Sequence, residues 1–226
     1  MHRVDINAGF CYNGNVMATN GTRGKFIVFE GTDGSGKSTQ LKLLVKYLEA
    51  KGVNAFLTRE PTDSPFGAIL RSCLTGRIDT DEYTIAAMFA ADRLDHIQNP
   101  VNGILKKLDE GVNVFCDRYY LSSFAYNGGF VPLDWVVALN ETARKLLKPD
   151  LTVFIDLDAE DAMKRVARRG ETERYETVER QKQIRKNFYD LFERFPDERV
   201  VIVKSREDKN ETQSAVRAAV EEVLKA

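Results

Sequence analysis

Cysteine, histidine and tryptophan are scarce in this chain, with three, two and one residues among 226. Cys11, Cys73 and Cys116 are odd in number and far apart, which excludes a disulfide framework and a CxxC metal or redox motif. The apolar runs are only a handful of residues long, well short of the stretch that crosses a bilayer. These absences predict a soluble protein of the reducing cytoplasm with no membrane partner.

The chain also carries almost no net charge. The 33 Lys and Arg residues nearly balance the 34 Asp and Glu residues, so the net charge is −1. Such a chain lacks the global basic field of a nucleic-acid coat or membrane-surface protein. We therefore predict no nucleic-acid partner, and any polyanion must be bound by local groups. With 43% hydrophobic and 30% charged residues, the composition is typical of a globular protein.

Residues 1–24 differ from the rest of the chain. They are rich in Asn and Gly and lack the basic start and apolar core of a secretory signal. We interpret them as a leader that is disordered or a non-native extension, and assign them no function. Residues 25–226 contain no linker, repeat or low-complexity tract, which predicts a single domain.

From Lys25 onward, short apolar runs alternate with longer segments whose apolar residues recur at helical spacing. The five predicted strands are KFIVFEG, VNAFLTRE, VNVFCDRY, LTVFIDLD and RVVIVKS. The predicted helices, alternating strictly with the strands, cover 40–52, 84–108, 133–148, 159–170, 179–195 and 212–225. Near-continuous apolar strands separated by helices predict an α/β fold, doubly wound around a five-stranded parallel sheet.

The segment GTDGSGKS follows the first strand, opens a helix and fits the phosphate-binding pattern G-x-x-x-x-G-K-[ST]. Glycines in such a P-loop let backbone N–H groups surround phosphate oxygens, and the helix N-terminus adds partial positive charge. Lys37 is placed to reach the β- and γ-phosphates, and the Ser38 hydroxyl to bind Mg²⁺. We therefore predict a P-loop nucleoside triphosphate site with Mg²⁺. Its residues are Gly31, Thr32, Asp33, Gly34, Ser35, Gly36, Lys37, Ser38 and Thr39.

The P-loop does not decide what happens to the γ-phosphate, because switch GTPases, motor ATPases and small-molecule kinases share it. Residues 156–159 after the fourth strand read DLDA, so the guanine-reading NKxD run is missing there. A kinase needs a second anion site, a carboxylate that orients the metal and mobile arginines. The remaining motifs supply groups of these kinds, which favours a kinase.

Three charged residues at strand ends fit these requirements. Arg59 ends the second strand, where its guanidinium could face a phosphate or instead pair with Glu60 at the surface. Asp117 ends the third strand and is placed to hold Mg²⁺, and Arg118 beside it could bridge donor and acceptor phosphates. The alternative for Asp117 and Arg118 is a structural ion pair.

Two further motifs lie on predicted helices. Phe89 and Arg93 are four residues apart and face outward together from one face of the helix. The Phe89 ring could stack on a nucleotide base, and the Arg93 guanidinium could donate hydrogen bonds to the edge of that base. Alternatively, Phe89 belongs to the core. Residues 164–174, KRVARRGETER, carry five basic residues that are either a solvated face or a lid whose arginines neutralise the transferring phosphoryl group.

The chain resembles the thymidylate kinase family over residues 25–226. The resemblance rests on five motifs in order: FEGTDGSGKSTQ, TREP, AADR, DRYYLSSFAYN and RRGETERYE. The pattern DRYxxSxxAY is the most specific, because it separates this family from adenylate, guanylate and uridylate-cytidylate kinases. The resemblance implies phosphoryl transfer from ATP·Mg²⁺ to dTMP and a homodimer.

The resemblance also implies a site for the sugar and phosphate of dTMP. Asp33 would accept a hydrogen bond from the 3′-hydroxyl, and Arg59 and Arg118 would hold the phosphate. Tyr126 would lie against the sugar where a 2′-hydroxyl would clash, which favours deoxynucleotides.

Four other residues would contact the thymine base. Phe89 would stack on the ring and Arg93 would donate to the O4 carbonyl. Ser122 and Asn127 hold the base-edge positions of DRYxxSxxAY, although many relatives have glutamine where this chain has Asn127.

One departure from the family bears on the mechanism. Some members, including the animal enzymes, have an arginine directly after the P-loop carboxylate, where this chain has Gly34. In the bacterial variant without that arginine, the lid supplies one. We therefore predict Arg168 or Arg169 as the catalytic lid arginine, acting with Lys37 and Arg118.

Two other functions remain open. One is a kinase for another nucleoside monophosphate or a deoxynucleoside, and the other is a non-catalytic nucleotide-binding switch. Dimerisation has one hint in the sequence, because the helix TIAAMFAADRL is apolar on more than one face, although core burial explains this pattern almost as well.

Overall fold

The computed structural model describes residues 23–167 and 175–225. The strands in these residues are β1 (Phe26–Glu30), β2 (Ala55–Arg59), β3 (Asn113–Asp117), β4 (Leu151–Asp156) and β5 (Val200–Lys204). They form one sheet in the order β2-β3-β1-β4-β5, and every neighbouring pair is parallel. The predicted α/β fold with a five-stranded parallel sheet is confirmed.

The described helices lie between and after these strands. They are α1 (Lys37–Glu49), α2 (Pro65–Leu74), α3 (Glu82–Gln98), α4 (Ile104–Asp109), α5 (Tyr120–Asn127), α6 (Leu133–Leu139), α7 (Glu141–Leu146), α8 (Ala159–Ala167), α9 (Val178–Arg194) and α10 (Lys209–Leu224). None of the helices in the described part of the chain is both long and apolar enough to cross a membrane.

Alternate residues of β1 face opposite sides of the sheet, and helices cover both sides. Phe26 and Val28 pack in one core that includes residues of α5 and α9. Ile27 and Phe29 pack in a second core with residues of α1 and α10. Because β1 is buried on both faces, its sequence is a continuous apolar run up to Glu30.

Two helices that were predicted as continuous are each divided. The helix predicted over 84–108 is α3 followed by α4, and the segment between them contains Pro100, which has no N–H to continue a helix. The helix predicted over 133–148 is divided at Asn140 into α6 and α7. The Asn140 side chain donates to the Val136 carbonyl at 2.9 Å, a local bond that competes with the regular helical ladder.

The helices do not alternate strictly with the strands, so that part of the prediction is wrong. The three helices α2, α3 and α4 connect β2 to β3, and α5, α6 and α7 connect β3 to β4. The helices α2 and α5 were not predicted from the sequence. Of the predicted leader, residues 1–22 lie outside the described residues.

Candidate functional site

The residues selected from the sequence lie at the carboxyl ends of the strands. The P-loop joins β1 to α1, and its Gly36 has a φ of 105°, which glycine adopts without strain. Asp117 ends β3, the neighbour of β1 in the sheet, and Arg118 follows it. Three cavities lie at this edge, and Asp33 and Arg118 line two of them.

The larger of the two, which we call the donor cavity, has a volume of about 1100 Å³. It lies between the P-loop, the start of α1, α8 and residues 205–207. Of the residues predicted to bind ATP, those that line it are Asp33, Gly34, Gly36, Lys37, Ser38 and Thr39. Gly31, Thr32 and Ser35 complete the loop and are buried. The volume is ample for a nucleoside triphosphate, since small-molecule sites occupy about 300–1000 Å³.

Lys37 folds back inside the P-loop. Its Nζ donates to the carbonyl of Gly31 at 3.0 Å and to that of Thr32 at 2.9 Å, and the residue is buried. Burial and the neighbouring Arg118 guanidinium lower the pKa of Lys37 to about 8. A bound phosphate would favour the ammonium form, so anion binding and protonation of Lys37 reinforce each other.

Ser38 and Asp117 bring oxygen atoms together at the wall of the donor cavity. The Ser38 hydroxyl donates to Asp117 Oδ2 at 2.6 Å. Mg²⁺ prefers such hard oxygen ligands, and it commonly uses one or two protein groups together with phosphates and water. The two residues therefore fit the predicted metal ion.

Asp33 and Arg118 form an ion pair where the two cavities meet. Arg118 also donates to the Ser122 hydroxyl at 3.0 Å, and its guanidinium lies 4.8 Å from the ring centre of Tyr126. Burial disfavours the charged form of Asp33, but Arg118 and Lys37 outweigh it and hold the pKa of Asp33 below its ordinary value. Asp33 is therefore ionised at neutral pH and presents acceptor oxygens at the junction.

The smaller cavity, which we call the acceptor cavity, has a volume of about 80 Å³. Of the residues predicted to bind the acceptor, those that line it are Asp33, Phe89, Arg93, Arg118, Ser122, Tyr126 and Asn127. Arg59 lines the donor cavity instead; its side chain is 61% exposed and pairs with Asp63 at 2.7 Å. The alternative pairing of Arg59 with Glu60 is wrong, because Glu60 contacts Arg93.

The prediction that Phe89 and Arg93 face outward together is wrong for Arg93, whose side chain is 1% exposed. Nε donates to Glu60 at 2.9 Å, and Nη1 donates to Ser123 at 3.1 Å and to Asn140. These partners fix the guanidinium at the wall of the acceptor cavity. A guanidinium carries five N–H donors, so these bonds leave donor capacity for a ligand.

Asn127 is the last residue of α5 and lines the acceptor cavity. Its side chain is buried, and neither its amide nitrogen nor its amide oxygen has a hydrogen-bond partner among the described residues. Buried polar atoms are nearly always hydrogen-bonded in native proteins. The unpaired amide therefore indicates a ligand that supplies both an acceptor and a donor.

Comparison with known proteins agrees with this arrangement. A sequence model of thymidylate kinase matches residues 29–216, most of the chain. The chain belongs to the thymidylate kinase family. A protein of Pyrococcus horikoshii named "probable thymidylate kinase" is 41% identical over 186 residues, which cover 79% of this chain and 88% of that protein. The thymidylate kinase of Symbiobacterium thermophilum is 37% identical over 208 residues, which cover 88% of this chain and 94% of its own length.

In this member of the thymidylate kinase family, two residues of the candidate site were not predicted from the sequence. Gln181 of α9 donates to Asp33 Oδ2 at 2.8 Å and accepts a bond from the Asp33 backbone N–H at 2.9 Å. Tyr175 lines the acceptor cavity, with its ring centre 5.9 Å from that of Tyr126. Tyr175 falls within the family motif RRGETERYE, whereas Gln181 has no local signal because it is one polar residue among many on α9.

The predicted lid, residues 164–174, lies only partly within the described residues. Arg168 and Arg169, the predicted catalytic arginines, and Arg174 lie outside them. Arg165 near the end of α8 lines the donor cavity and donates to the Ser205 hydroxyl at 3.2 Å. Arg165 therefore already contacts the far wall of the donor cavity.

Proposed function

We propose that this protein transfers the γ-phosphoryl group of ATP to dTMP, giving ADP and dTDP. The observation that carries the proposal is the shared wall of the two cavities: a P-loop cleft joins a small pocket with an unpaired amide, and Asp33 and Arg118 line both. The names of the relatives support dTMP as the acceptor.

ATP would lie in the donor cavity with its phosphates in the P-loop. The loop N–H groups and the N-terminus of α1 favour negative charge there, and Lys37 would bind the β- and γ-phosphates. Ser38 and Asp117 would hold Mg²⁺, which when bound neutralises charge on the phosphate oxygens.

The base would lie in the acceptor cavity. The imide edge of thymine offers an N–H donor beside a carbonyl acceptor, and the unpaired amide of Asn127 matches both groups. Arg93 is held at the same wall and can only donate, so it would favour the O4 carbonyl over the amino group of cytosine. Phe89 would pack against the ring face, and Ser122 would lie near the base edge.

The sugar and phosphate would lie at the junction of the cavities. The ionised Asp33 would accept a bond from the 3′-hydroxyl, and Tyr126, whose hydroxyl donates to Asp33 at 3.1 Å, would exclude a 2′-hydroxyl. Arg118 and the exposed Arg59 would bind the phosphate.

Transfer would need no covalent intermediate with the protein. A phosphate oxygen of dTMP, already ionised at neutral pH, would attack the γ-phosphorus in line, so no general base is required. The protein would position both nucleotides and neutralise charge through Lys37, Arg118 and a lid arginine, Arg168 or Arg169. The lid would also exclude water, which would otherwise consume ATP.

The test is a coupled assay of ADP release with ATP and Mg²⁺ and a panel of acceptors: dTMP, dUMP, dCMP, AMP, GMP and thymidine. We expect dTMP to have the highest kcat/KM by a wide margin. Preference for another acceptor would contradict the assigned roles of Phe89, Arg93 and Tyr126. No turnover with any acceptor would favour the non-catalytic switch.

Asn127→Leu tests recognition of the base. Loss of a buried hydrogen-bonding group costs about 1–3 kcal/mol, so we expect KM for dTMP to rise about 10- to 100-fold with a smaller change in kcat. The control is Asn54→Leu, at an exposed asparagine that lines none of the three cavities. A KM for dTMP within twofold of wild type would exclude a contact between Asn127 and the base.

We propose a homodimer formed through α2 and α3. Phe66 and Ile69 of α2 and Tyr83 of α3 are large apolar residues that are 48%, 47% and 51% exposed. Phe66 and Ile69 lie three residues apart on α2, and neighbouring exposed apolar residues commonly mark protein interfaces. Sedimentation at micromolar concentration should give a dimer, and Phe66→Asp with Ile69→Asp should give a monomer. A monomeric wild-type protein would refute the proposal.

We propose a cytoplasmic location. The support is that Cys73 and Cys116 are free thiols, both of them buried. Free thiols are ordinary in a reducing compartment.

A further inference from the structure

Glu30 is a buried carboxylate to which the proposed transfer assigns no role. It is the last residue of β1 and is 0% exposed. Its Oε1 accepts bonds from the backbone N–H groups of Tyr119 at 2.9 Å and Ser122 at 3.1 Å, and its Oε2 accepts from the Ser122 hydroxyl at 2.5 Å. All three donors lie in the turn from Arg118 into α5.

The N-terminus of α5 has no capping side chain of its own. The N-cap residue is Tyr119, which makes no side-chain capping bond. The first N–H groups of a helix have no partner within it, and a nearby Ser, Thr, Asp or Asn commonly supplies the missing acceptor. Here Glu30 supplies it from β1, a different element of the fold. The Ser122 N–H also donates to the Tyr119 carbonyl at 3.1 Å, whereas the Tyr119 N–H donates to Glu30.

Arg118, directly before this cap, has a φ of 72°. This left-handed conformation is unfavourable for a residue with a long side chain and persists where the surroundings impose it. The Arg118 N–H donates to the Phe29 carbonyl at 2.9 Å, so β1 holds the turn at two consecutive residues, Phe29 and Glu30.

The side chains of Glu30 and Arg118 are also linked through one hydroxyl. Ser122 donates to Glu30 and accepts from Arg118 Nη1 at 3.0 Å. The same Nη1 donates to the Gly31 carbonyl at 3.1 Å. Glu30 thus contacts both the backbone turn and the hydroxyl that fix the direction of the Arg118 guanidinium.

We propose that Glu30 is a positioning residue for phosphoryl transfer: its carboxylate caps α5 and holds Arg118 in the left-handed conformation that directs the guanidinium at the junction of the two cavities. The expected effect of Glu30 on catalysis rests on the proposed function. The capping itself is independent of the substrate.

The charge of Glu30 depends on its surroundings. Burial raises its pKa to about 7, against the opposing effect of Arg118 and Lys37, the two cationic groups that face it. Protonation would replace one acceptor oxygen with a donor. The carboxylate form, which accepts all three bonds, therefore dominates above about pH 7 and is lost below it.

Two variants test the proposal. Glu30→Gln keeps one acceptor oxygen but turns a second donor toward Ser122, and we expect kcat/KM for dTMP to fall about tenfold, as for the loss of one hydrogen bond to a charged group. Glu30→Leu has no acceptor, and we expect a fall of about 100-fold or more. The control is Glu198→Gln, a buried glutamate that accepts from the Tyr120 hydroxyl of α5. The control should retain wild-type kcat/KM.

The pH profile separates positioning from a general loss of structure. Glutamine resembles protonated glutamate in its donor and acceptor groups, so the ratio of wild-type to Glu30→Gln kcat/KM should fall toward one as the pH drops below about 7. Titration of the substrates affects both proteins equally and cancels in this ratio. A ratio close to one at pH 8.5, where Glu30 is in its carboxylate form, would overturn the proposal.

Hydrogen exchange tests the cap without reference to dTMP. The amides of Tyr119 and Ser122 should exchange faster in both Glu30 variants than in wild type and in Glu198→Gln. Unchanged exchange would overturn the proposal. Faster exchange in a protein that does not phosphorylate dTMP would support the cap and refute only the proposed function.

Discussion

Replacing Arg118 with alanine should lower kcat/KM for dTMP by about three orders of magnitude, the contribution typical of an arginine that stabilises a transferring phosphoryl group. Two losses combine in this variant. The acceptor phosphate would lose a partner that we propose for it, and Asp33 would lose the guanidinium that offsets its burial. Arg118→Lys should also be impaired, because an ammonium group cannot contact Asp33, Ser122 and a phosphate as a planar fork does.

Arg144→Lys is a matched control for Arg118→Lys. Arg144 also pairs with a buried carboxylate, that of Glu198, and its guanidinium lies 5.7 Å from the ring centre of Tyr120, but it lines neither cavity. Steady-state rates are measured with dTMP and ATP each varied, and melting curves show whether the variants fold. If Arg118→Ala is folded and turns over within tenfold of wild type, the assigned role of Arg118 is wrong.

The strands and the P-loop were predictable because their signals are local. Each strand is a short apolar run, and the P-loop is a contiguous pattern between a strand and a helix. The missed helix α2 also had local signals: Ser64 accepts from the Gly67 N–H as an N-cap, and Pro65 occupies the first turn. By contrast, α5 begins at a tyrosine N-cap and is capped by Glu30, 92 residues before Ser122, so no local pattern marked its start.

The site shows the same division between local and distant contacts. Motif residues such as Lys37 and Asp117 were identified because their spacing in the chain implies their chemistry. The partners that orient the functional side chains come from distant elements: Glu60 and Asn140 fix Arg93, and Gln181 fixes Asp33. Their positions follow from how the helices pack on the sheet, which periodicity alone does not specify. The burial of Arg93 was mispredicted for this reason.

The packing around Gly34 explains why the P-loop of this chain carries no arginine. The φ of Gly34 is 80°, and a Cβ at this position would lie 2.3 Å from the carbonyl oxygen of Ala162 in α8. Real Cβ atoms do not approach backbone this closely, so a side chain here would require α8 to shift. An arginine in the P-loop is therefore incompatible with this packing of α8, so we propose that the predicted lid supplies the catalytic arginine instead.

We expect the single variants Arg168→Ala and Arg169→Ala to identify that arginine. Replacing the responsible residue should lower kcat by about 10³-fold, as for arginine fingers generally, with little change in KM for dTMP. The reason is that a group which meets the phosphoryl only during transfer stabilises the transition state and not the bound substrate.

Arg165→Ala provides the contrast. Arg165 donates to Ser205 across the donor cavity, so its loss should raise KM for ATP and leave kcat within about threefold, the pattern of a residue that binds ground state and transition state equally. In a single variant the remaining arginine could take over the role of the lost one. The double variant Arg168→Ala with Arg169→Ala tests for this replacement. Near-normal kcat in both single variants and in the double variant would eliminate these arginines as the source of the missing charge. Arg165 and Arg174 would then be the remaining lid candidates, and near-normal kcat in variants of all four arginines would refute the proposal that the lid supplies the catalytic arginine.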